Sequence, residues 1–157
     1  MSDNKAKSSA RAIFTDYLEE RRLRKTPERF FILDRVMEMK DHFLVEDLCA
    51  VLDQESYHVS RATVYNTLDR LEDCGLVRRH QFGSQPAQYE KSTGTASHHH
   101  LVCVKCGRIK EVRDTELARQ LGARRYRGFT TRYFALYVHG VCSKCQRAQR
   151  SSSKPPK

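Results

Sequence analysis

The sequence predicts an α+β chain in two parts. Apolar residues recur at helical spacing in four successive segments that end at Gly75. Two short strand-like runs follow, joined by Gly83-Ser84-Gln85-Pro86, a hairpin signal. Beyond a polar stretch, two Cys-x-x-Cys pairs, Cys103/Cys106 and Cys142/Cys145, frame shorter strand and helix patterns.

A first helix is expected over Ala10–Arg22. Pro27 suits the first position of a second helix with Thr26 as its N-cap. Phe30, Leu33 and Met37 share one face of that helix, and Ile32 with Val36 widens it. A third helix is expected over Leu44–Asp53, with Leu44, Leu48 and Leu52 facing inward. The fourth is the best marked. Ser60 caps it, Val64, Leu68 and Leu71 make its apolar stripe, and Gly75 supplies a left-handed stop. Arg61, Tyr65, Asn66 and Arg70 then point away from the core. Strands are expected at Val77–Phe82 and Ala87–Lys91. Helices followed by a two-stranded hairpin describe a winged helix-turn-helix, here residues 1–91.

Polar residues 92–97 read as a hinge, followed by a small α/β unit over 98–150. Strands are expected at His98–Val102 and Arg108–Arg113, turning at the Cys106-Gly107 corner. A helix over Thr115–Arg125 and a long strand over Phe129–His139 complete that unit. The first eight or so residues and the tail 151–157 are expected to be disordered.

Halves of a 157-residue chain have thin cores, so a metal staple on one of them is unsurprising. No apolar run is long enough for a membrane span, and the polar N-terminus lacks the h-region of a secretory signal. Six cysteines without such a signal read as reduced thiols in a cytoplasm. The net charge of +10 is unevenly spread. Residues 1–91 carry 15 Lys and Arg against 16 Asp and Glu, while residues 92–157 carry 14 against 3. Basic charge favours a polyanionic partner, yet it does not lie on the helix expected to read DNA.

Four thiolates in paired two-residue spacing suit a closed tetrahedral Zn2+ site, one per chain, held by Cys103, Cys106, Cys142 and Cys145. The histidines at 98–100 are not needed by that site and are left for a second metal. On a strand, His98 and His100 share a face while His99 turns away. Glu111, on the adjoining strand, reaches the same face as His98 and His100. Imidazole with carboxylate suits Fe2+, Mn2+ or Zn2+. For DNA, Arg61, Tyr65 and Asn66 occupy the end of the fourth helix that enters a major groove. Tyr65 suits thymine methyls and Asn66 suits adenine edges.

Arg24-Lys-Thr-Pro-Glu-Arg29, then Ala62-Thr-Val-Tyr-Asn66 with Gly75-Leu-Val77, then His98-x-His100-x-x-Cys103-x-x-Cys106-Gly107 together resemble the ferric uptake regulator family. The resemblance spans roughly residues 20–146. It implies a dimeric transcription factor whose second unit is the dimerisation domain. It also implies that His42, before the third helix, and Glu90, at the end of the wing, join His98, His100 and Glu111 around one regulatory ion. Those ligands come from both sides of the hinge, so the ion would fix the angle between the halves. Arg24 resembles a residue that probes the minor groove. Arg29 and Arg70 read equally as phosphate contacts or surface charge. A second accessory metal site is expected to be missing, since its positions read Ser97, His99, Ala118 and Phe134.

The implied function is an Fe2+-dependent homodimeric repressor. It would bind pseudo-palindromic double-stranded operator DNA to control metal uptake, with no membrane and no small-molecule substrate. Peroxide-sensing and zinc-sensing members of the family are the alternatives. Asn66 favours the peroxide branch and Glu90 with Glu111 disfavours it, since aspartates are typical there. A constitutive zinc-stabilised DNA binder and a metalloenzyme are more distant readings. No catalytic residue is expected, because the chain lacks a His-Glu-x-x-His motif and any clear nucleophile pair. Cys49 and Cys74 read as small buried residues, and His58, His80 and His139 receive no role. Arg124, Arg125, Arg127 and Arg132 read as a solvated basic face, with a second nucleic-acid or anion contact as the other possibility.

Overall fold

A computed structural model describes residues 2–40, 42–55, 57–92 and 98–152. The chain divides into two compact units, Met1–Thr95 and Ala96–Lys157. The expected hinge falls largely on residues 93–97, which lie outside the described residues, as do residues 153–157.

The first unit packs four helices, α1 (Ser2–Glu20), α2 (Pro27–Glu38), α3 (Val45–Gln54) and α4 (Arg61–Asp73), against an antiparallel hairpin of β1 (Val77–His80) and β2 (Gln88–Lys91). Each helix has a local reason to begin or end. Helix α1 stops where Arg22 adopts a left-handed φ of 55° and Leu23 N–H returns to Leu18 C=O at 2.8 Å. Helix α4 stops in the same way. Gly75 takes φ 78° and Leu76 N–H bonds Leu71 C=O at 2.8 Å. The Ser60 hydroxyl accepts Thr63 N–H at 3.1 Å, closing the N-terminus of α4. At α3 the Asp47 carboxylate accepts the Leu44 N–H at 2.8 Å. Thr26 occupies the N-cap of α2, with Pro27 at its first turn, but its side chain makes no cap hydrogen bond.

One apolar cluster joins these elements. Phe14 and Leu18 of α1 meet Ile32, Leu33 and Val36 of α2, Leu48 and Leu52 of α3, and Val64, Leu68 and Leu71 of α4. Val77 and Tyr89 seal it from one face of the hairpin. Leu44 serves as the N-cap of α3 and is only partly buried, and Val45 takes the expected inner place.

The second unit is a three-stranded sheet in the order β4-β3-β5, with α5 (Thr115–Ala123) and α6 (Ser143–Ser152). Strand β3 (His99–Cys103) pairs antiparallel with β4 (Ile109–Val112) and parallel with β5 (Tyr137–Gly140). Its core is small. Among the described residues only His99, His100, Val102 and Cys103 of this unit are buried, and α5 buries none.

Three elements differ from the sequence expectation. Helix α1 starts at Ser2 rather than near Ala10, and Lys7 in the added turns pairs with Glu38 of α2. The expected strand over 129–139 forms only at Tyr137–Gly140. Strand β3 offers a ladder of five residues, and backbone beyond it has no strand to bond. Residues 143–152, partly assigned to a disordered tail, form α6. Gln146 N–H bonds Cys142 C=O at 2.9 Å, and no Gly or Pro interrupts the run.

Candidate metal centres and nucleic-acid face

The four cysteines converge. Cys103 ends β3, Cys106 follows in the turn toward β4, Cys142 follows β5, and Cys145 lies in the first turn of α6. All four Sγ atoms lie within 4.8 Å of one another, and Cys106 and Cys142 are 3.8 Å apart. Tetrahedral zinc with Zn–S bonds of about 2.3 Å separates its sulfurs by about 3.8 Å, so the donor set fits that ion.

The local backbone prepares the sulfurs unequally. Cys142 N–H donates to Cys103 Sγ at 3.3 Å. That bond, with the amides of Cys106 and Lys105, holds the Cys103 thiol down at about 6. The Cys142 thiol is also lowered, chiefly by the Cys145 amide. Cys145 shares its proton with the sulfurs of Cys142 and Cys106 and is pushed up to about 12. Cys103 is thus the sulfur most readily ionised and Cys145 the one that holds its proton longest.

In the same unit, His98 and His100 stand on one face with ring centroids 4.8 Å apart. His100 is buried and stacks on Tyr137 at 5.5 Å. Glu111 is the register partner of His100 on β4, and it presents an oxygen within 4.8 Å of a His98 nitrogen. His99 is buried on the opposite face. Of the positions expected to lack an accessory metal site, Ala118 and Phe134 are hydrocarbon and Ser97 lies outside the described residues.

In the first unit, an isolated backbone bridge brings two other expected ligands together. Phe43 and Tyr89 exchange both N–H···O=C bonds at 2.9 Å, so the adjacent His42 and Glu90 meet with Nε2 and Oε2 3.5 Å apart. Glu90 is buried on the hairpin face opposite the hydrophobic core. Two neighbours there were not singled out by the sequence. Arg78, its register partner, places Nη1 3.4 Å from Oε1. His80, diagonal to it on β1, places Nε2 3.1 Å from the same oxygen. The signal for His80 was the hairpin register, which sets residues 78, 80, 88 and 90 on one face.

Arg61, Tyr65 and Asn66 lie exposed along the N-terminal half of α4, with Tyr65 44% accessible. The opposite side of that helix is fully buried at Val64 and Leu68, so the exposed triad rides on a rigid support. Arg61 pairs loosely with Glu46 at 3.7 Å across solvent, an interaction weak enough to yield to a phosphate. Arg24 is exposed in the connection before α2 and accepts a bond from Arg29 at its carbonyl. Arg70 Nη1 donates to Asn66 C=O at 2.7 Å, fixing the far end of this face. Cys49 and Cys74 pack at the edge of the core, where burial raises both thiols.

The sequence pattern of the Ferric uptake regulator family matches residues 20–139. The ferric uptake regulation protein of Neisseria meningitidis serogroup A is 36% identical over 131 residues, spanning 82% of this chain and 90% of that protein. Among solved structures, the ferric uptake regulator of Pseudomonas aeruginosa with manganese superposes with a TM-score of 0.67. It is 32% identical and covers 82% of this chain and 97% of its own. The ferric uptake regulator of Vibrio cholerae, whose structure reveals rearrangement of its DNA-binding domains, superposes with a TM-score of 0.55. It is 30% identical and covers 80% and 96% respectively.

Proposed function

This chain belongs to the ferric uptake regulator family, and we propose that it is a homodimeric, Fe2+-responsive repressor of metal-uptake genes in the cytoplasm. Proteins of this family are metal-responsive transcription regulators rather than enzymes. Cys103, Cys106, Cys142 and Cys145 hold one structural Zn2+ per chain. His42 and Glu90 from the first unit join His98, His100 and Glu111 from the second around a regulatory Fe2+, for which Mn2+ or Zn2+ are the chemical alternatives. The observation that carries this reading is the separation of ligands. The sulfurs close a site by themselves, and imidazole–carboxylate pairs remain in each unit, at His42/Glu90 and at His98/Glu111. An ion shared by those pairs would favour one arrangement of the two units, and DNA affinity would follow its occupancy.

Two copies of the chain explain the second unit. A sheet with four buried residues does not bury enough surface to stand alone, while Leu101, Tyr126, Phe129, Tyr133 and Val138 are all more than a third exposed. A second copy covers them, and two-fold symmetry then presents Arg24, Arg61, Tyr65 and Asn66 twice to a pseudo-palindromic operator. Among the described residues no helix is long and apolar enough to cross a membrane.

The test is an anaerobic DNA titration of protein loaded with zinc at the cysteines only, with and without buffered Fe2+, at one salt concentration. A large gain in operator affinity with Fe2+, lost in His98→Ala, is expected. Equal affinity in both conditions would replace metal gating with constitutive binding.

A further inference from the structure

We propose that His80 is a metal ligand, and that His42, His80 and Glu90 form a three-donor divalent-cation site wholly inside the first unit. This deepens the regulatory-metal reading and rests on it.

Nε2 of His42 and of His80 flank the two oxygens of one carboxylate, 3.5 Å from Oε2 and 3.1 Å from Oε1 of Glu90. The three residues each offer a ligand atom, all within 4.8 Å of one another. Metal–ligand bonds near 2.1 Å place neighbouring donors about 3.0–3.4 Å apart in tetrahedral or octahedral geometry, so small shifts close this set on an ion. Two imidazoles and a carboxylate select borderline divalent cations such as Fe2+, Co2+ or Zn2+ over Ca2+ or Mg2+.

The surroundings suit a held ion. The side chains of His80 and Glu90 are 3% and 5% exposed and that of His42 is 10% exposed. Phe82 stacks on His80 with centroids 5.6 Å apart and meets the His42 ring edge-on at 5.9 Å, forming an apolar wall. Arg78 also contacts Glu90 Oε1, and its side chain is 24% exposed, so a cation arriving at that oxygen leaves the guanidinium a path to solvent.

The three ligands sit on three different pieces of backbone. His42 precedes α3, His80 ends β1 where the wing loop begins, and Glu90 is on β2. An ion here ties the hairpin to the helical body through ligands of the first unit alone.

Full-length protein with its cysteine site filled by zinc is titrated with Co2+, whose visible absorption reports ligand number. The variant His98→Ala/His100→Ala/Glu111→Ala is expected to retain one bound Co2+ per chain with altered bands. Adding His80→Ala to it should abolish that binding. In the otherwise natural chain, His80→Ala should weaken Co2+ by at least ~100-fold, beyond the roughly 10–100-fold of a lost outer-sphere contact. X-ray absorption should then show one fewer imidazole. His80→Gln, closer in shape, takes the same measurements if the alanine variant misfolds. A triple variant that binds no Co2+, or His80 variants with natural affinity and spectrum, would overturn the proposal. Failure of the gating reading looks different, as Co2+ held through His80 with operator affinity indifferent to it.

Discussion

Phe43 and Tyr89 exchange two backbone hydrogen bonds of 2.9 Å, stitching the segment before α3 onto β2, the second strand of the hairpin. The bridge is sealed by the two rings, stacked at 6.0 Å and both nearly inaccessible. It carries His42 and Glu90 as flanking residues, so a packing contact sets the spacing of two proposed ligands. Phe43→Ala should cost about 3–5 kcal/mol of first-unit stability. Urea denaturation checks this, and a loss under about 1 kcal/mol would mean that the stitch is not held by packing.

Removing one sulfur should separate structural from regulatory metal. Cys103→Ser is expected to release zinc and lower the melting temperature of the second unit, with loss of the dimer. Metal content, calorimetry and sedimentation read the three effects. A variant that keeps its melting temperature without zinc would remove the structural role.

Zinc uptake should release protons. At pH 7.5 the Cys103 thiol, held at about 6, is already ionised, while Cys145, at about 12, is protonated. Binding needs thiolates, so at least one proton leaves per zinc and affinity falls on acidification. Titration calorimetry in buffers of differing ionisation enthalpy counts those protons. A count of zero contradicts the inequality between the two sulfurs.

On α4 the exposed residues should divide by role. Arg61→Ala should weaken DNA broadly and flatten the salt dependence by about 0.9 in log–log slope, the signature of one phosphate contact. Asn66→Ala should instead relax discrimination at one base pair by about 1–3 kcal/mol and leave the slope alone. Fluorescence anisotropy across salt and operator variants distinguishes them, and interchanged effects would reassign both residues.

Helix positions in the first unit were legible because their signals are local. Ser60 and Gly75 bracket α4 in sequence as they do in space, and Val64, Leu68 and Leu71 mark its inner face. The cysteine quartet was legible from spacing alone. His80 was not, since its proximity to Glu90 is a diagonal between strands and depends on a register that no single strand encodes. The segment over 129–136 misled for a related reason. Its β-branched and aromatic residues have strand character, but a strand needs a neighbour, and β3 is too short to supply one. The early start of helix α1 is not legible because the partner of Lys7 in its added turns, Glu38 of α2, lies 31 residues along the chain.

The thin second unit has a further consequence, for the life of a newly made chain. With four of its described residues buried and several aromatic rings in solvent, the proposed dimer would make its folded population rise with chain concentration. A solitary copy leaves Tyr126, Phe129 and Tyr133 open to proteases and chaperones, and the proposed pairing would cover them. Unpaired protomers would therefore be the ones most readily cleared, and their share would be greatest where the regulator is scarce.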